Sequence, residues 1–394
     1  MSLTHYSKLP AMPAPALFNL GFRPFYLLAA LLATLGIPLW VAQYFGLLSA
    51  PAHLSGVTWH AHEMVFGFQL AVIIGFLFTA ARNWTGLPTP SGGLLAALAG
   101  LWIAGRLAVL TGPALLAAIV DVAFLPAAAL ALWFPLQRSR NRNRFFVGLL
   151  LALAGANLAF HLAHAGVLSI DTLSPLRLAL YVVVLIVTIM AGRVVPSFTR
   201  NAIPTARSRS NRALDLAAVA AAAVAFAAWL ISLPGWITGP LCLLAAALHA
   251  VRLWMWDPWS TRYQPILWIL HLSYAWIPAA LALMALSAFG ADVPPALADH
   301  ALSVGAVGGM IIGMITRTAR GHTGLPLRVS RPEVVAYLLV HLAAAARVAT
   351  PLVWAEGYRL ALSASGALWS AAFLLYLLVY VPILSAARAD GRPG

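Results

Sequence analysis

Residues 59–68 read WHAHEMVFGF, so His60, His62 and Glu63 stand at the mouth of the apolar run AVIIGFLF. Ionisable groups at membrane depth are costly and are kept where they have a partner, a metal or a proton to handle. Imidazole is the commonest nitrogen ligand for metals and the side chain that titrates near neutrality. Further candidates are His161 and His164, with Asn157 one turn before them, His271 in LHLSYAW, His300 ahead of a Gly-rich run, and His322 in RGHTG. His161 and His164 are i, i+3 neighbours, so they can share one metal or simply solvate a helix end. His60 and His62 lie about 200° apart around a helix, so they cannot both aim at one metal if the helix already includes them. Glu63 suits either an outer-shell acceptor or an ordinary helix N-terminus. Arg193, deep before VVP, and Arg317 are candidates for an anionic cofactor group. His5 and His53 read as solvated, and His249 and His341 as packed side chains. The single cysteine, Cys242, excludes a thiolate cluster, so any metal takes nitrogen or oxygen ligands.

The elements that must position these residues are membrane helices. Hydrophobic residues make up 62% of the 394-residue chain and charged ones 9%, against about 25% charged in a soluble domain. The chain therefore reads as an all-α integral membrane protein. Taking Pro, Gly and polar breaks as punctuation gives twelve spans: 25–47, 59–81, 94–110, 114–136, 145–167, 175–198, 213–232, 236–253, 264–289, 299–318, 332–350 and 358–386. Residues 1–24 form a Pro-rich lead-in without a cleavable-signal pattern, 25–386 one transmembrane domain and 387–394 a tail. The net charge of +14 does not indicate nucleic acid, because the arginines sit in short loops. Arg138 to Arg144, Arg200 to Arg212, Arg252 with Arg262, Arg328 with Arg331, and Arg388 with Arg392 all follow even-numbered spans. By the positive-inside rule both termini are cytoplasmic.

An internal repeat links two of the spans. Residues 62–88 laid over 300–326 match at eleven of twenty-seven positions, including His62 with His300, Gly67 with Gly305, and Arg82-x-x-Thr-Gly-Leu-Pro with Arg320-x-x-Thr-Gly-Leu-Pro. Half that offset falls on the sixth span, where Tyr181 stands near the histidine's place. The period suggests three units of four helices, with spans two, six and ten equivalent. A histidine at one end of each helix and an arginine twenty residues on are roughly 30 Å apart. If spans two and ten pack side by side, His62 and His300 sit at equal depth. Two such imidazoles suit the axial positions of a haem iron, or form a structural hydrogen-bonded pair.

The stretches FNLGFRPFY, WHAHEMVFGF, GRVVPSFTRN, LWILHLSYAW and ALSVGAVGGMIIGMITRTARGHTGLPL resemble the NnrS family, in order and over nearly the whole chain. The resemblance implies a twelve-span bacterial inner-membrane protein that binds haem, b-type by expectation, and copper, and that acts in nitric oxide metabolism or protection against nitrosative stress. The positions carried over are His60, His62, His271, His300 and His322. The four-helix period is also similar to the catalytic subunit of haem-copper oxidases, with its threefold pseudo-symmetry and haem ligands on helices two and ten. Span six here lacks the oxidases' copper histidine. Three classes of function fit: a haem-dependent oxidoreductase acting on nitric oxide with an external electron donor, a non-catalytic haem-based sensor, and a transporter of a small metabolite or metal.

Overall fold

The computed structural model describes residues 16–49, 54 and 56–391; His5, His53 and Arg392 lie outside them. Each of the twelve spans read from the sequence is a helix long and apolar enough to cross a membrane. They are α1 Phe22–Tyr44, α2 Gly56–Thr85, α3 Gly92–Thr111, α4 Ala114–Arg138, α5 Arg142–His164, α6 Leu173–Ala202, α7 Arg212–Leu230, α8 Gly235–Met255, α9 Pro265–Ala288, α10 Pro295–His322, α11 Arg331–Val353 and α12 Ala355–Ser385. Among the described residues all regular elements are helical, and this is a multi-pass membrane protein.

Local chemistry sets the helix ends. Gly86 closes α2 at φ 66°, the left-handed conformation a glycine enters without a Cβ penalty. Asn211 caps α7 by accepting from the Ala213 and Leu214 amides, and Ser330 with Glu333 forms a capping box on α11. Short loops pack sequential helices against one another, and α1 closes on α12. Away from its chain neighbours, α6 packs on both α2 and α10, and α2 faces α10 at His60 and His300. The most apolar stretch of α2 is 89% buried and that of α10 72%, against 28% for α7, so α2 and α10 are interior helices.

The repeated segments share a backbone irregularity. Hydrogen bonding widens to π-helical turns over Glu63–Gln69 in α2 and Ala301–Gly308 in α10, which are equivalent positions one or no residues apart at the ends. Such turns are rare and concentrate at functional sites. The matched glycines lie inside them. At Gly67 a Cβ would fall 2.5 Å from Leu32 Cδ2 and 3.0 Å from Glu63 Oε2, while at Gly305 it would collide with the Trp276 ring. The rigid Trp276 ring demands a glycine at 305, whereas a side chain at 67 would have to displace the Leu32 methyl. The backbone of α6 is α-helical throughout, so this feature belongs to spans two and ten alone.

Candidate metal centres

The opening turns of α2, Gly56–His62, are regular α-helix, which sends His60 and His62 to opposite sides. His62 turns toward α4 and α5 and is fully buried. Its Nε2 lies 3.0 Å from Asp121 Oδ2 and 3.0 Å from Asn157 Oδ1, and its Nδ1 3.2 Å from Glu63 Oε1. Asp121 Oδ2 is the hub of this cluster. It accepts from Asn157 Nδ2 at 2.8 Å and lies 3.0 Å from His161 Nε2. Arg106 of α3 donates to Glu63 Oε1 at 2.8 Å and pairs with Asp121 Oδ1.

The charges in this cluster do not cancel. Two buried carboxylates, Glu63 and Asp121, face one guanidinium, leaving one negative charge at a depth where an unpaired charge is costly. A neutral imidazole carries one N–H, yet both His62 nitrogens face carboxylate oxygens. A cation among His62, Asp121 and His161, or a proton on an imidazole or a carboxyl, supplies what is missing. The ligand atoms of those three residues all lie within 4.8 Å of one another. Tetrahedral nitrogen and oxygen ligands at metal distances are about 3.3 Å apart, close to the separations here. The donor set fits a borderline transition metal such as copper or zinc.

His60 turns the other way. Its ring stacks on Trp40 of α1, with centres 4.0 Å apart, and faces His300 of α10 with centres 6.4 Å apart and planes within 12°. His300 Nδ1 is 2.6 Å from the Ala296 carbonyl, a contact that makes Nδ1 the N–H and leaves Nε2 with its lone pair. His60 Nδ1 is buried with no hydrogen-bond partner. Two imidazoles bound to one metal from opposite sides have ring centres roughly 6 Å apart, given metal–nitrogen distances of about 2 Å. The pair partitions two cavities. One, about 60 Å³, lies among α1, α2, α10, α11 and α12, and the other, about 150 Å³, among α2, α6 and α10. Gln69 lines both, its Oε1 unpartnered. The donor chemistry and the fixed His300 tautomer fit a haem iron held by His60 and His300, with the two cavities lying on either side of the pair.

A family model described as NnrS protein matches residues 16–388. The chain belongs to the NnrS family. No curated protein matches it.

Among the residues of this NnrS chain singled out from sequence, the structure re-sorts the partners. His300 faces His60 rather than its repeat mate His62, because α2 presents His62 to α4 and α5 instead. The i, i+3 pair also separates: His161 joins Asp121, while His164 lies along the Phe160 ring. His271 Nε2 is 3.0 Å from Thr199 Oγ1, and the His322 ring lies against Phe22, so neither is in the two clusters. His249 and His341 are packed, with Tyr274 and Trp276 as partners. Arg193 donates to the Asn143 side-chain Oδ1 at 2.9 Å, and Arg317 sits 3.7 Å over the Phe198 ring. Seventeen residues of α10 separate His300 from Arg317, about 25 Å of rise, so these arginines do not serve the His60–His300 pair.

Sequence reading missed Asp121, Arg106, Arg347, Arg177 and Asp299. Each was visible as a lone ionisable residue inside an apolar span, the pattern that marks a functional or paired group. At the end bearing the histidines, Arg177 and Tyr181 both donate to Asp299, and Arg347 of α11 lines the smaller cavity beside His60 and His300.

Proposed function

We propose that this NnrS chain binds a b-type haem between His60 and His300 and a copper ion at His62, Asp121 and His161, and that it acts on nitric oxide at a bacterial inner membrane. The observation that carries the reading is the His60–His300 pair: near-parallel rings 6.4 Å apart between two cavities, one imidazole with its tautomer set by the Ala296 carbonyl. The haem, when bound, supplies a one-electron redox centre whose electrons come from an external donor. The chain's own residues orient and insulate it. Ala296 holds the His300 ring, Trp40 stacks on the His60 ring, and the interior position of α2 and α10 keeps water away. Arg106 offsets part of the carboxylate charge beside His62, so a cation is retained there without a fully uncompensated site.

His60 and His300 would together hold the haem, and nitric oxide would then meet the protein elsewhere. A cavity of about 90 Å³ among α2, α6 and α10 is lined by apolar side chains, among them Val72, Ile186, Met190, Met310 and Ile311, and is suited to a small apolar gas arriving from the bilayer. The meeting of α2, α6 and α10 around it supports the three-unit, oxidase-like plan. The arginine-bearing loops support cytoplasmic termini.

Purified protein from haem-sufficient cells is expected to be coloured and to contain copper. His60→Ala and His300→Ala shift or abolish the Soret band while copper stays; His62→Ala and His161→Ala lose copper while the Soret band stays. A colourless, metal-free wild type overturns the reading.

A further inference from the structure

We propose that Arg347 binds the carboxylate edge of the haem and so fixes which way round the macrocycle lies between His60 and His300. The inference rests on the cofactor reading above.

Arg347 is 6% exposed, lies on α11, and lines the smaller cavity with His60 and His300. Its guanidinium donates to the Tyr358 hydroxyl at 3.2 Å and lies 5.1 Å from that ring's centre. Among the described residues no carboxylate pairs with it. A buried guanidinium that lacks a counter-charge is expensive, and a hydroxyl and an aromatic face recover only part of the cost. Of the other arginines at this end, Arg106 is neutralised by Glu63 and Asp121 and Arg177 by Asp299, while Arg359 is exposed and lies over the Phe45 ring. Arg347 is thus the buried cation left over, and it lines a cavity that His60 and His300 also line.

Chemistry narrows the ligand further. A guanidinium presents a planar fork of N–H donors that matches a carboxylate in two parallel bonds. The rest of that cavity is mostly apolar, including Ile37, Phe68, Val304, Leu362 and Trp369, which suits the hydrocarbon face of a tetrapyrrole and not a small hydrated anion. The apolar side walls and the single cation together describe a molecule that is flat, hydrophobic and acidic at one edge. The carboxylate edge is therefore assigned to the α11 side, and not to the second cavity, where Arg177 is already paired with Asp299 and leaves no spare cation.

The test is a Soret titration of full-length protein, purified in apo form from haem-depleted cells, with haem and with haem dimethyl ester, whose carboxylates are capped. Wild type is expected to bind haem at least roughly tenfold more tightly than the ester, the scale of a charge-assisted hydrogen bond. Arg347→Gln is expected to bind both equally, near the wild-type affinity for the ester, and Arg347→Lys to restore part of the preference. Arg317→Gln, at the opposite end of α10, is expected to keep the wild-type preference. Equal wild-type affinity for the two porphyrins overturns the assignment and needs no variant to fold. An undiminished preference in Arg347→Gln overturns it as well. A wild type that takes up neither porphyrin overturns the cofactor reading, and this inference with it.

Discussion

His60 and His62 are two residues apart, yet they belong to different chemical neighbourhoods. His60 shares a cavity wall with His300, and His62 shares a carboxylate with His161. Glu63 belongs with His62 and links it to Arg106. Removing the cation from this cluster isolates two buried carboxylates, so Arg106→Met is expected to cost about 3–5 kcal/mol, the usual penalty for breaking a buried ion pair from one side. The measurement is thermal unfolding in detergent. Arg106→Met combined with Glu63→Gln is expected to regain much of the lost melting temperature, because one of the stranded charges is then gone. A double variant no more stable than the single one would show that the loss came from packing against Trp102 instead.

At the scale of the element, the π-helical stretch of α2 sets how the two histidines, already turned apart by the regular helix before it, are aimed relative to the rest of the helix. It begins directly after His62 and ends at Gln69, so it separates the histidine-bearing turns from the regular helix that anchors them in the interior. Removing one residue from a π-helical turn restores α-helical bonding and rotates what precedes it by about 100°. Deletion of Met64 is therefore expected to give a membrane-inserted protein that has lost haem and copper together, since His60 and His62 swing off their partners at once. Optical spectra and metal analysis of the purified variant check this. A deletion that keeps either cofactor at the wild-type level would mean that the stretch does not set the aim of the histidines.

For the whole molecule, twelve helices with arginines gathered after even-numbered spans put both ends of the chain on one side. A fluorescent protein fused after residue 391 is expected to fold and fluoresce in the cytoplasm, whereas the same fusion after Gly290, following α9, is expected to stay dark on the far side. Arginines at that far end are exceptions with specific employment: Arg106 and Arg177 are ion-paired, and Arg347 faces the smaller cavity. They do not upset the topology, because the orienting signal comes from loops and not from side chains held inside the bundle.

The sequence by itself determined the twelve spans, since an unbroken apolar run of membrane length has no stable alternative in lipid to a helix that satisfies its own backbone. It also determined that α2 and α10 are kin, through the matched His, Gly and Arg-x-x-Thr-Gly-Leu-Pro positions. Helical geometry showed that His60 and His62 point apart, but a one-dimensional pattern does not say which neighbouring helix stands on which side. That choice was made by packing. Because α4 and α5 cover one flank of the histidine-bearing end of α2, His62 meets Asp121 and His161; because α1 and α10 cover the other, His60 meets Trp40 and His300. Asp121 and Arg347 stayed silent in the sequence for the same reason. Each is a single charge in an apolar span, and what it does depends on the side chains that the tertiary structure brings within a few ångströms of it.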